Sequence, residues 1–220
     1  MTVYNSEMTK RKGYFIAVEG IDGMGKTTQV DALESYFVSL GVTVCRTKEP
    51  TDSSYGKDIR QIAQQGREGI SLEQELELFI KDREIDVQEN IAPGLDKGSL
   101  VLVDRYFYSN IAYQGALGLD PMAIRKANET RFPIPDLVLL LDAPPSVGIS
   151  RIRHGRGEVN NQGYEQEDFL ESVRIQFLAM SDPSIVRFDA AQSLEIITQA
   201  IRDLVWHRVQ GRLELFQPNS

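Results

Sequence analysis

The chain has 220 residues, a formal charge of −8, two histidines and one cysteine. A single α/β domain of this length buries roughly 70–75% of its unfolded surface and needs no covalent staples. A lone cysteine excludes an internal disulfide framework, and with two histidines it also excludes a structural zinc site of the Cys/His kind.

Residues 1–12 carry Lys10, Arg11 and Lys12 with no long apolar core after them. They read as a disordered tail rather than a secretory signal. Apolar runs then recur at Tyr14–Val18, Val42–Cys45, Leu100–Val103, Leu137–Leu141 and Ile185–Phe188. Each is four or five residues long, as expected of strands buried on both faces. Helical periodicity fills the intervals. Thr28–Leu40 sets Val30, Leu33, Phe37 and Leu40 on one stripe, and Leu72–Ile91 and Ser193–Val209 behave alike. Strand and helix alternate, which predicts a five-stranded parallel sheet with helices on both faces and right-handed crossovers. Residues 13–210 form one domain in this reading, and 211–220 a C-terminal tail. No apolar run approaches 18 residues, so no membrane span is expected, and the acidic balance argues against a nucleic-acid partner. A soluble, cytoplasmic protein is expected.

Ligands of such sheets sit at the carboxyl ends of the strands. The first of those ends reads Gly20-Ile21-Asp22-Gly23-Met24-Gly25-Lys26-Thr27, the spacing Gly-x-x-x-x-Gly-Lys-Thr between a strand and a helix. Its glycines let backbone N–H groups curl around phosphate oxygens, and the following helix adds its positive end. Lys26 is placed to reach the β- and γ-phosphates, and the Thr27 hydroxyl to hold Mg²⁺. An acid after four apolar residues occurs twice, at Asp104 and Asp142. Asp104 is preferred for the metal because Arg105 and Tyr106 follow it, whereas Ala-Pro-Pro after Asp142 reads as a turn. No Asn-Lys-x-Asp base-reading motif is present. A small phosphate-loop domain with cations downstream suggests a kinase for a small acceptor, and Arg105, Arg60 and Arg83 are candidates to clamp an acceptor anion.

The segment Phe15 to Gln29 resembles the opening of thymidylate kinases. Lys48-Glu49-Pro50, Gly56 to Arg60, Leu78-Phe79-Ile-Lys-Asp82-Arg83, Asp104-Arg105-Tyr106 and Ser109-Asn110-Ile-Ala-Tyr113-Gln114-Gly115 resemble that family's later motifs in order, over residues 14 to 205. The resemblance implies transfer of the γ-phosphoryl of ATP to dTMP with Mg²⁺, giving dTDP and ADP, by a P-loop kinase with a mobile lid. It implies ATP contacts from residues 20 to 28, Thr28 included, with Asp22 and Lys26 at the reacting phosphates. It implies Phe79 stacked on the base, with Asn110 and Tyr113 bounding sugar and base. Arg105, Ser109, Gln114, Arg83 and Arg60 complete the acceptor set. Asp22 and Glu49 are assigned to Mg²⁺ or its water shell, Glu49 also to the acceptor site. A homodimer is implied as well.

Some thymidylate kinases carry a catalytic arginine inside the phosphate loop, and Asp22-Gly23-Met24 has none. The basic segment Arg151-Ile-Arg153-His-Gly-Arg156 resembles the lid of the bacterial form, set at about 151–164. Arg153 or Arg156 is then expected at the transferring phosphoryl, and Arg151 near the adenine or α-phosphate. Three positions depart from the family pattern: Gln162-Gly163 replaces Asp-Arg, Lys48 replaces an arginine, and Asp86 replaces a histidine. Two other readings stay open, a kinase for another pyrimidine monophosphate such as dUMP and a regulatory nucleotide-binding protein without catalysis.

Overall fold

The computed structural model describes residues 12–67, 69–156 and 167–210. The expected tails, and the lid beyond residue 156, lie outside the described residues. Five parallel strands form one sheet: β1 (Tyr14–Glu19), β2 (Val44–Lys48), β3 (Leu100–Asp104), β4 (Leu137–Asp142) and β5 (Ile185–Asp189). Their order is β2-β3-β1-β4-β5. Helices flank both faces, so the inner strands β1, β3 and β4 are buried throughout apart from the last residue of β4. That is why their sequences are unbroken apolar runs rather than alternating ones.

The order places the switch in winding direction between β1 and β3. The chain leaves β1 toward β2 and leaves β3 toward β4, so the loops after these two adjacent strands diverge and open a crevice. Val18 pairs with Asp104, which aligns the two carboxyl ends. The phosphate loop and the Asp104-Arg105 pair therefore meet by topology alone.

Helix α1 (Lys26–Ser39) follows β1, and α2 (Ser54–Gln65) and α3 (Leu72–Asp86) follow β2. A π-helical turn (Val87–Ile91) and the short α4 (Ala92–Asp96) then lead to β3. Helices α5 (Phe107–Ala116) and α6 (Pro121–Glu129) join β3 to β4, α7 (Pro145–Arg156) and α8 (Glu167–Ala179) precede β5, and α9 (Leu194–Val209) closes the domain. Helix α5 packs on both α6 and α8, and α2 packs on α3.

Two expectations shift. The second strand begins at Val44 and runs through the polar residues Arg46 and Lys48. Val42 belongs to the turn, where its N–H donates to Phe37 O. β2 is an edge strand, so its outward positions need no apolar side chains and its sequence signal stops early. The helix expected to Ile91 is α-helical to Asp86 only. Pro93 has no N–H to continue the ladder, and the chain widens into a π turn in which Ala92 N–H reaches Val87 O.

Helix α3 starts at a reciprocal cap: Gln74 N–H donates to Ser71 Oγ and Ser71 N–H to Gln74 Oε1. This cap anchors the helix that bears Phe79 and Arg83. Ser71→Ala is expected to lower stability by about 1 kcal/mol, seen as a reduced urea midpoint at unchanged slope.

Candidate active site

The strand β1 ends at Glu19, and the loop beyond it turns through three glycines with positive φ: 139° at Gly20, 78° at Gly23 and 86° at Gly25. Gly25 caps α1 without any side-chain hydrogen bond, and no acid stands in the first turn. The first amides of α1 are thus left for an anion. Gly23 also lets α7 approach, since a Cβ there would lie 2.3 Å from Gly148 O. The Lys26 side chain is buried and donates to Ile21 O at 2.8 Å. Burial, and then the nearby Arg105, bring its pKa down from 10.5 to about 7. Ile21 and Met24 are buried beneath the loop, while Thr27 and Thr28 are exposed.

The Thr27 hydroxyl donates to Asp104 Oδ2 at 2.5 Å. This pair of hard oxygens at the phosphate loop fits Mg²⁺, which takes one or two protein ligands and completes its shell with phosphates and water. Among the described residues no group of three or more acids, histidines or cysteines could hold a metal by itself. Asp142, the other candidate acid, is instead forked by Arg174 at 2.7 and 3.1 Å.

Arg105 joins the two halves of the site. It adopts φ 71°, the left-handed region that an arginine rarely enters. Its N–H donates to Val18 O at 3.1 Å, and its Nη1 donates to Gly20 O and Ser109 Oγ, both at 3.0 Å. Its Nη2 pairs with Asp22, and the guanidinium lies 5.4 Å from the Tyr113 ring centroid. Asp22 also faces Lys26 at 4.0 Å and accepts from Tyr113 Oη at 3.5 Å.

Beside Arg105 opens a cavity of about 210 Å³. Its walls include Asp22, Arg60, Phe79, Arg105, Ser109, Asn110, Tyr113 and Gln114. Eight residues expected from sequence thus share one cavity. Phe79 is half-buried there, presenting an apolar ring. Arg60 reaches the wall while donating to Pro50 O at 3.0 Å, Thr51 O at 2.7 Å and Asp52 Oδ1 at 3.0 Å.

Two expected residues sit elsewhere. Glu49 does not line the cavity, and its assignment to the metal shell gives way: both its oxygens face Arg83, with Nε at 3.2 Å and Nη2 on the other oxygen. Burial pushes the Glu49 carboxyl upward, against the pull of the Arg83 guanidinium. Arg83 is 1% exposed and stands behind the wall, holding Asn110 Oδ1 at 2.8 Å. Asp86 lies in the same buried layer, accepting from Thr47 and Asn90. Arg151 and Arg153 are exposed on α7, away from the cavity wall. The Arg156 side chain lies outside the described residues.

Sequence reasoning gave no role to Glu19, which is fully buried. It accepts from Tyr106 N–H at 2.8 Å and Ser109 Oγ at 2.6 Å, fixing the start of α5. Burial raises its pKa despite these bonds. Its signal was an acid closing an apolar strand, a position that demands buried partners. Glu75, Pro50, Ile59 and Ala63 also line the cavity. Glu75, Phe79 and Arg83 recur at i, i+4 and i+8, so one helical face was readable from spacing.

Comparison with known proteins agrees with this geometry. The family model described as Thymidylate kinase matches residues 18–201. A protein of Archaeoglobus fulgidus called "Probable thymidylate kinase" is 45% identical over 190 residues, 86% of this chain and 93% of that one. Thymidylate kinases of Akkermansia muciniphila and Xanthomonas campestris are 42% and 40% identical, covering 88% and 92% of this chain and 91% and 87% of theirs. With the phosphate loop, the Asp104-Arg105 pair and the adjoining cavity in one crevice, the chain belongs to the thymidylate kinase family.

Proposed function

We propose that this crevice transfers the γ-phosphoryl of ATP to dTMP, with the residues above in the following roles. The observation that carries the reading is the contiguity of two anion sites. Arg105 touches the phosphate loop at Gly20 O and the acceptor cavity at Ser109. A monophosphate held by Arg105 would face a triphosphate held by residues 20–28.

The donor phosphates lie along the loop amides and the N-terminus of α1. Their negative charge favours the ammonium form of Lys26, which burial and Arg105 disfavour. Thr27 and Asp104 would hold Mg²⁺, which would supply charge neutralisation at the phosphate oxygens. Asp22 stands between Lys26 and Arg105, keeping both cations on the line between donor and acceptor. The acceptor base stacks on Phe79. Asn110 and Gln114 read its edge, and Tyr113 packs against the sugar, where a 2′-hydroxyl would crowd it. A nucleoside monophosphate has its second phosphate pKa near 6 by analogy with other phosphate monoesters. It is a nucleophile at neutral pH, so no general base is assigned. Alignment and charge stabilisation supply the rate.

The missing arginine of the phosphate loop is supplied by α7 in this reading, from Arg153 or Arg156, with Arg151 toward the adenine. Gly148 against Gly23 sets α7 directly on the loop, which is what allows that delivery. A cytoplasmic homodimer is the associated proposal for the whole molecule, and sedimentation would read its mass. No helix among the described residues is long and apolar enough to cross a membrane.

A monophosphate panel with ATP and Mg²⁺ tests the acceptor, with dTMP expected to outrun dUMP and dCMP. Lys26→Ala is expected to cut kcat by on the order of a hundredfold or more while the denaturation curve stays cooperative. Arg105→Ala should raise the acceptor KM at least about tenfold, the scale of lost charge-assisted hydrogen bonds, with a smaller change in the KM for ATP. Equal changes in both would place the acceptor elsewhere.

A further inference from the structure

A guanidinium is planar, rigid and has five N–H donors and no acceptor. Inside a protein its orientation is therefore dictated by whichever acceptors surround it. Arg83 has three such neighbours from three elements. Glu49, just past β2, takes Nε and one Nη2 proton. Asn110 on α5 takes the other through Oδ1 at 2.8 Å. Asn128 on α6 takes Nη1 through Oδ1 at 2.7 Å. The rings of Tyr106 and Phe132 lie 5.0 and 5.9 Å from the guanidinium carbon.

Asn128 is fully buried and does not line the cavity. It is itself fixed: its side-chain Nδ2 donates to Ile124 O at 2.9 Å, and its backbone carbonyl accepts from Arg131 and Phe132 N–H at 3.0 and 2.9 Å. Because Arg83 can only donate, Asn110 must turn its carbonyl oxygen to it. The Asn110 amide nitrogen then points to Gln114 Oε1, 3.2 Å away. That leaves the Gln114 amide nitrogen as a donor. Asn110 and Gln114 both line the cavity, so the donor and acceptor pattern offered to a base is set from behind the wall.

We infer that Asn128 is a positioning residue for acceptor recognition, acting through Arg83 on Asn110 and Gln114. This rests on the acceptor cavity assigned above. Of the three anchors of Arg83, Asn128 is the one on α6, an element that contributes nothing to the cavity wall. Withdrawing its oxygen leaves Nη1 without its acceptor and lets the guanidinium swing about its Glu49 pair, away from Asn110.

The test is steady-state kinetics on Asn128→Leu, Asn128→Asp and Asn110→Ala, with dTMP and ATP each varied. Leu matches the volume and removes the acceptor, whereas Asp keeps an oxygen toward Arg83. Asn128→Leu is expected to raise the dTMP KM by on the order of tenfold, the scale of one misdirected hydrogen bond to the base, at unchanged ATP KM. Asn128→Asp shares with Leu the loss of the Nδ2 bond to Ile124 O but keeps an acceptor, so its dTMP KM is expected to stay well below that of the Leu variant, since a carboxylate accepts from a guanidinium at least as well as an amide does. Should Asn128→Leu fail to fold, Asn128→Ser, too short to reach Arg83, takes its place in the comparison. A native dTMP KM in the Leu variant, or equal increases in both KM values, overturns the inference. So does an Asp variant no better than Leu. Asn110→Ala separates the levels. If it raises the dTMP KM and Asn128→Leu does not, the inference alone falls. If Asn110→Ala leaves the dTMP KM unchanged, the cavity assignment falls with it.

Discussion

The site depends on one arginine held in an uncommon backbone conformation. Arg105 follows directly on β3, at the point where the extended backbone stops. With φ at 71° it turns back over the neighbouring strand, where Gly20 O, Asp22 and Ser109 are waiting. A non-glycine residue in this region costs on the order of 1–3 kcal/mol. Its N–H to Val18 O and its side-chain bonds offset that cost. Glu19 takes the next N–H, that of Tyr106, and so holds the turn from the other side. The strain is located where two adjacent strands end and their loops diverge, which is the place a two-substrate crevice needs a joint.

The electrostatics follow from that joint. The protein is acidic overall, with a charge of −8, yet it is built to receive two anions. The resolution is local. Buried Lys26 and half-buried Arg105 face each other across Asp22, and the arginine depresses the lysine. Backbone carbonyls and the Asp22, Asp104 and Glu19 carboxylates attract both cations, while Arg105 still disfavours the charged form of Lys26. Phosphate binding therefore relieves a repulsion as well as making new bonds. The surface charge, solvated and screened within about 10 Å at ordinary salt, has little say at the buried site.

Donor-side and acceptor-side residues were not equally legible in the sequence. The phosphate loop could be read directly because its function is carried by backbone: glycine spacing and a helix start suffice, and both are local. The sheet was readable too, since strands covered on both faces must be apolar along their length. The edge strand misled, because Arg46 and Lys48 obey solvent rather than core. Glu49 misled for a different reason. An acid near a phosphate loop suggests a metal, and only tertiary structure reveals that a buried arginine 34 residues away claims both its oxygens. Glu19 closes an apolar strand, which marks it as buried, but its partner lies 87 residues away, and Asn128 carried no local pattern for a partner 45 residues distant.

This difference is physical rather than accidental. A phosphate is recognised by charge and by N–H groups, which every chain has, so one loop can bind it. A base is recognised by the direction of donors and acceptors, and an amide side chain on its own can present either face. Fixing the direction needs a partner that can only donate or only accept. Here that partner is Arg83, and a buried guanidinium needs acceptors on several sides at once. Those acceptors arrive from the end of β2, from α5 and from α6. In the proposed reading, selectivity for the acceptor is a property of how three elements pack, set in part by residues such as Asn128 that do not line the cavity.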